Sequence, residues 1–173
     1  MIKKKNETFE WVKSIMGALV IAFIIRSFFL TPIVVDGESM NPTLQDKDHM
    51  VVTKIGNPKR FDIVVFHAPD GSDYIKRVIG LPGDRIEYKN DVLYINGMAY
   101  NEPYLEKYKK RLNEGTLTDS FTLEETAVGS DTVPKDSIFV MGDNRRHSAD
   151  SRHIGAIPLE KVIGTTNVVY YPI

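Results

Sequence analysis

Arg85-Ile86-Glu87-Tyr88-Lys89-Asn90-Asp91-Val92-Leu93-Tyr94-Ile95-Asn96-Gly97 reads as a β-hairpin followed at once by a second turn. Residues 85–89 and 92–95 are its strands, Asn90-Asp91 joins them, and Asn96-Gly97 turns the chain again. Asn, Asp and Gly suit such turns because they tolerate the positive φ that tight hairpins require. The pattern continues on both sides. Ile33-Val34-Val35, Met50 to Lys54, Asp62 to Phe66, Tyr74 to Gly80, Ser137 to Met141 and Val162 to Tyr171 are short apolar runs bounded by turn residues. Many short strands with frequent Gly and Pro turns predict a mainly β protein built on a folded-up sheet. One stretch breaks the pattern. From about Glu102 to Pro134 the chain is polar, carries Glu106-Lys107-Tyr108-Lys109-Lys110-Arg111 and lacks clear periodicity. A surface insertion is expected at about 102–134.

The amino end differs again. Lys3, Lys4 and Lys5 precede Trp11 and an uncharged run from Ser14 to Ile25; Arg26 interrupts before Phe28-Phe29-Leu30. Phe9 to Leu30 is 22 residues, about 33 Å as a helix, enough for a bilayer core of about 30 Å. Thr31-Pro32 is a natural stop, because proline disfavours helix in the residue before it. A cleaved export signal would need a small-x-small site after the apolar run, and Arg26-Ser27-Phe28-Phe29 offers none. A buried core helix is the alternative. A retained anchor over 9–30 is favoured, with Lys13 and Arg26 reaching toward opposite interfaces. Residues 1–8 would then be cytoplasmic, and 31–173 would form the domain outside.

Composition narrows the function. A chain of 173 residues suits one modest domain. A net charge of −1 gives no electrostatic case for nucleic acid. The absence of cysteine excludes disulfides, zinc thiolates and a cysteine nucleophile. There is no H-E-x-x-H and no phosphate-binding glycine loop, so neither metal nor cofactor is expected.

Three segments stand out from ordinary scaffold. Asp36-Gly37-Glu38-Ser39-Met40-Asn41-Pro42-Thr43-Leu44 places a serine in a turn directly after an apolar strand. Tyr74-Ile75-Lys76-Arg77-Val78-Ile79-Gly80-Leu81-Pro82-Gly83-Asp84 places a lysine inside a strand. Met141-Gly142-Asp143-Asn144-Arg145-Arg146-His147-Ser148-Ala149-Asp150-Ser151-Arg152 packs small polar groups and alternating charges into one loop. Taken singly, each is ordinary: a capping serine, a solvent-facing strand lysine, a solvated ion-pair loop.

Together, in this order and after an N-terminal anchor, they resemble the type I signal peptidases in their compact Gram-positive form. The S-M-x-P-T-L, Y-x-K-R-V-x-G-x-P-G-D and G-D-N-x-x-x-S-x-D-S-R runs carry the resemblance. It implies a folded-up antiparallel, barrel-like catalytic β-domain behind one transmembrane helix. The protein would sit in a bacterial cell membrane as a single-pass serine endopeptidase. It would cut signal peptides from exported preproteins after a small-x-small site. Preproteins, the lipid bilayer and the protein-export translocase are the implied partners.

The resemblance also assigns roles. Ser39 is the nucleophile and Lys76 its general base. An ordinary lysine has a pKa of about 10.4, so roughly 0.04% is neutral at pH 7. Lowering that value to about 7–8 costs about 3–5 kcal/mol, which burial among apolar neighbours can supply. Ser148 matches the serine that orients the lysine amine. The Ser39 backbone N–H is the natural oxyanion donor. Many relatives place a hydroxyl two residues before the nucleophile; Gly37 stands there instead, so a backbone N–H is expected to substitute. Asp143, Asp150 and Arg152 brace the site. Ile33, Val35, Met40, Tyr74 and Ile75 would line pockets shallow enough to prefer alanine.

Other readings use the same residues. A Ser39–His153–Asp150 triad has suitable residue types but no G-x-S-x-G elbow. A self-cleaving Ser/Lys repressor would need a DNA-binding unit. A non-enzymatic signal-peptide binder would not need Ser39, Lys76 and Ser148 intact.

Overall fold

In the computed structural model, residues 7–28, 30–54, 56–112 and 114–171 are described, without the side chains of 7, 24–28, 30, 167 and 168. Helix α1 (Glu7–Phe28) leads into strands β1 (Leu30–Val34), β2 (His49–Thr53), β3 (Ile63–His67), β4 (Asp73–Gly80), β5 (Ile86–Lys89), β6 (Val92–Ile95) and β7 (Met98–Tyr100). A one-turn helix α2 (Glu106–Lys109), β8 (Phe121–Thr122), β9 (Ser137–Met141), helix α3 (Ser151–Ile154), β10 (Ile157–Pro158) and β11 (Val162–Tyr171) follow. The strands form a seven-stranded sheet, β1-β2-β11-β3-β4-β9-β10, and a four-stranded sheet, β7-β6-β5-β8. Pairing is antiparallel throughout both. The mainly β, antiparallel expectation therefore holds.

The hairpin that decides the fold class forms as read. Lys89 pairs with Val92 across Asn90 and Asp91, whose φ values are +48° and +65°. Asn96 and Gly97, at +52° and +79°, turn the chain into β7. Ile86, Tyr88, Leu93 and Ile95 alternate onto one face and pack with Ile79, Phe139 and Met141 between the sheets.

The strands that carry the site are buried on both faces, which is why they read as continuous apolar runs. In β3, Ile63 and Val65 join a cluster with Val35, Met40, Leu44, Met50 and Val52. Val64 and Phe66 join a second, with Val78, Ile138, Val140 and Ile157. In β9, Phe139 and Met141 face the small sheet while Ile138 and Val140 face away from it.

One expectation meets a different outcome. The segment expected as a surface insertion, about 102–134, is built into the small sheet. It supplies β8, and Glu102, Leu105, Leu117, Thr118, Leu123 and Val133 are buried. The Asp91 carboxylate ties it to the hairpin by accepting from the Leu117 and Thr118 N–H groups. Its apolar residues follow neither helical nor strand period because most of it is turn and single-turn helix.

At the amino end, α1 spans most of the expected anchor. No helix among the described residues is long and apolar enough to cross a membrane. Yet α1 carries Phe9, Trp11, Val12, Ile15, Met16, Leu19, Val20, Ile21 and Phe23 all at least half exposed. They are spread around its circumference. The side chains at 24–30, and residues 1–6 with the lysine run, lie outside the described residues.

Candidate active site

The nucleophile candidate sits in the turn that follows β1. Val35 is buried, and its N–H donates to the Asp48 carbonyl. The chain then bends at Gly37, whose φ of +93° suits a residue without Cβ. Met40 and Leu44, both buried, pin the far side of the turn. Ser39 lies between these anchors, half-buried, at the floor of an open cleft. Its backbone N–H donates to no group among the described residues. The Gly37 N–H is already committed to the Asp46 carboxylate at 2.9 Å, and this bond holds the Asp46 carboxyl below its ordinary range. Gly37 lines the cleft, but its own N–H is not a spare donor.

Lys76 reaches this turn from β4. Its Nζ is 2.8 Å from Ser39 Oγ and donates to the Ile75 carbonyl at 3.0 Å. It also lies 4.9 Å from the centroid of the Tyr74 ring. The side chain points inward, and Lys76 is 4% exposed. Burial lowers its pKa to about 8, with the Asp150 carboxylate pulling the other way. Desolvation penalises the ammonium, and no carboxylate among the described residues touches the amine to repay it.

The loop after β9 closes over the pair. Asp143 is fully buried and accepts two bonds from Arg77, Nε at 2.9 Å and Nη2 at 2.7 Å, plus one from Thr43 of the nucleophile turn. Asp150, also fully buried, caps α3 and accepts from the Gly142 N–H and twice from the Arg152 guanidinium. Arg152 donates onward to the Arg145 carbonyl. These three bracing residues therefore fix the backbone of the loop. Ser148 is packed beneath them: a Cβ on Gly142 would lie 2.2 Å from Ser148 Oγ and 2.5 Å from the Ser39 carbonyl oxygen. The Ser148 hydroxyl is buried and has no hydrogen-bond partner among the described residues, so it does not bond Lys76 in this structure.

The cleft has a volume of about 570 Å³. Ile33, Val35, Met40, Tyr74 and Ile75 all line it, with His147 and Ala149.

A histidine triad is not assembled. Asp150 is occupied by Arg152 and Gly142, and the His153 side chain is exposed. His67 pairs with Asp73, His147 lies by Asn144, and His49 packs edge-on against Tyr170 and Tyr171. Among the described residues no group of three His, Asp or Glu side chains is placed to hold a metal ion.

Several residues join the site that the sequence reading passed over. Arg77 lay in view beside Lys76, a second cation in an apolar strand. Arg145 is 2% exposed and spans the two sheets: Nε donates to the Gly142 carbonyl, Nη1 to Tyr88 and Thr118, and Nη2 to Glu102. Burial pushes the Tyr88 and Tyr104 hydroxyls up, so both stay protonated and donate to Glu102 Oε1. Glu102 Oε2 is buried without a hydrogen-bond partner among the described residues. Glu102 precedes Arg145 by 43 positions, and nothing local in the sequence marks the pair.

Comparison with known proteins points one way. A family model described as "Signal peptidase, peptidase S26" matches residues 8–171. A "Signal peptidase I" of Bacillus caldolyticus is 49% identical over 98% of this chain and 93% of its own length. A "Signal peptidase I S" of Bacillus subtilis (strain 168) is 46% identical over 99% of this chain and 93% of that protein. The crystal structure of a signal peptidase I from Enterococcus faecalis superposes with a TM-score of 0.62 at 44% identity, covering 64% of this chain and 97% of that one.

Proposed function

This chain belongs to the signal peptidase family, peptidase S26, and from that premise we propose that it is a membrane-held serine endopeptidase working through a Ser39–Lys76 dyad. Membership makes it a serine endopeptidase that removes signal peptides. The dyad, the cleavage-site preference and the membrane attachment are our reading. The observation that carries it is a buried amine, pKa about 8, 2.8 Å from a hydroxyl at the floor of an apolar cleft.

With a pKa of about 8, roughly one Lys76 in ten is neutral at pH 7. In that form Nζ accepts the Ser39 hydroxyl proton as Oγ attacks the scissile carbonyl carbon. Negative charge moves onto the carbonyl oxygen, where the uncommitted Ser39 N–H meets it. The Lys76 ammonium then protonates the departing amine nitrogen, releasing the mature protein. Next, Lys76 takes a proton from water, whose oxygen attacks the ester carbon. Oγ leaves, recovers the proton, and the signal peptide departs. Ser148, which does not bond the amine in this structure, is the acceptor we assign to the ammonium formed during turnover: its hydroxyl is buried and unpartnered among the described residues, and a protonated lysine has three hydrogens to place. Asp143, Asp150 and Arg152 hold the loop that carries it.

The cleft sets the substrate. Ile33, Val35, Met40, Tyr74 and Ile75 present a shallow apolar lining that accepts alanine and rejects larger side chains, as small-x-small sites require. An extended segment can bond the main chain at its edge. The exposed apolar girth of α1 supports its role, with 24–30, as the anchor. It would hold the domain at the bilayer surface beside its substrates, outside the cell membrane, near the export translocase.

The test is turnover of a model preprotein by detergent-solubilised wild type, Ser39→Ala and Lys76→Ala. Both variants should melt as folded proteins and yield no shortened product. Retained cleavage by either would remove the dyad.

A further inference from the structure

The peptide unit between Glu38 and Ser39 carries the N–H that the proposed mechanism aims at the developing oxyanion. That peptide is trans, so its C=O and N–H point in opposite directions within one plane. Whatever holds the carbonyl therefore aims the N–H. The Glu38 carbonyl accepts from Asn144 Nδ2 at 3.1 Å and from the Asn41 N–H at 3.1 Å. The Ser39 carbonyl, belonging to the next peptide unit, accepts from the Asn144 backbone N–H at 3.0 Å. Asn144 thus grips the peptide units on both sides of the nucleophile's Cα, from a loop more than a hundred positions away.

Asn144 is itself held rigidly. It is 8% exposed, and its carbonyl accepts from the His147 N–H. Its chain neighbours each belong to a buried ion pair, Asp143 to Arg77 and Arg145 to Glu102. Movement of either pair would pass directly into the nucleophile turn. We propose that Asn144 is the positioning residue that presets the oxyanion-donating peptide of Ser39, by holding the Glu38 carbonyl through its side-chain amide. The inference rests on Ser39 being the nucleophile. It places Asn144 outside contact with substrate, acting on the transition state through one peptide plane. Preorganised donors matter most where charge develops, so the effect falls on kcat and not on substrate binding.

The experiment uses the full-length enzyme with Asn144→Ala, beside Ser39→Ala. Asn144→Asp, which keeps the shape but lacks the donated N–H, stands in if the alanine variant does not fold. Steady-state cleavage is measured across pH, together with inhibition by a peptide aldehyde ending in alanine. Addition of Ser39 Oγ–H across the aldehyde C=O forms a hemiacetal whose oxygen takes the oxyanion's place. We expect kcat to fall about 10–100-fold, with KM within about twofold. Aldehyde affinity should weaken in step with kcat, and the acid limb of the pH profile should stay where wild type has it. Wild-type kcat in a folded variant overturns the inference. So does a loss of kcat with unchanged aldehyde affinity and a displaced acid limb, which would mean that Asn144 acts through Lys76. Should Ser39→Ala still turn over, the nucleophile assignment fails first, whatever Asn144 does.

Discussion

Lys76 Nζ lies 2.8 Å from Ser39 Oγ although the residues are 37 positions apart in the chain. The approach is made by rigid parts: Lys76 leaves a strand paired on both edges, and Ser39 leaves a turn pinned by buried Met40 and Leu44. The lysine that results is under electrostatic stress, and this has a stability consequence.

In the folded protein the Lys76 pKa is lowered from 10.5 to about 8. Below pH 8 both folded and unfolded chains hold the proton, and the native state bears the full cost of burying it. Between pH 8 and 10.5 only the unfolded chain is protonated, so native stability rises with pH across that window. The cost amounts to about 3 kcal/mol. Lys76→Met should therefore be inactive yet more stable than wild type at pH 7, by up to that amount. Its advantage should shrink from pH 8 to 10.5. Urea unfolding at several pH values checks this; a less stable Lys76→Met at pH 7 contradicts it.

Gly142 has no room for a side chain. A Cβ there would meet Ser148 Oγ at 2.2 Å and the Ser39 carbonyl oxygen at 2.5 Å. The Ser39 backbone cannot yield without moving the nucleophile. Gly142→Ala should lose at least about 100-fold in kcat, while its melting temperature falls by far less than loss of the fold would require. Near-normal turnover would show that the turn is not held as described.

Arg77 and Asp143 form a bidentate pair with side chains 9% and 0% exposed. Asp143→Ala strands the guanidinium and should cost about 3–5 kcal/mol. Replacing both, as Arg77→Met with Asp143→Leu, removes the stranded charge and should recover most of that loss. Activity should not recover, because the Thr43 contact to the nucleophile turn is gone. A double-mutant cycle with no coupling would refute the pair's role.

The anchor reading makes a prediction about lipid. Full-length protein should float with phosphatidylglycerol–phosphatidylcholine vesicles. Leu19→Lys with Val20→Lys, each costing about 2.5–3.5 kcal/mol at a helix centre, should abolish flotation without reducing cleavage of a short soluble peptide. Unchanged flotation would sink the assignment of α1.

The fold was legible wherever period and turn chemistry agreed. The Asn90-Asp91 hairpin and the apolar runs that form β3 and β9 are local statements, and the chain keeps them. The motifs picked out Ser39 and Lys76, which the fold places 2.8 Å apart, and the cleft gathers Ile33, Val35, Met40, Tyr74 and Ile75 around them. The inward turn of Lys76 was not readable, because a strand lysine flanked by apolar residues fits either face. Glu102 looked like the edge of a polar insertion because its partner, Arg145, lies in a distant loop. Asn144 stood in the G-D-N run, but its role could not be read there, because it bonds the backbone of a distant turn and backbone contacts leave no mark on sequence.

The Lys76 amine is expected to lose its proton near neutrality inside the folded enzyme. Titration of full-length protein carrying lysine labelled at ¹³Cε, with the Lys76 resonance assigned by its absence in Lys76→Met, reads that proton directly. A midpoint near pH 8, matched by the acid limb of the cleavage rate, is the predicted result. A Lys76 resonance that titrates near the ordinary lysine value of about 10.4, with cleavage already at its maximum at pH 8, would contradict the account.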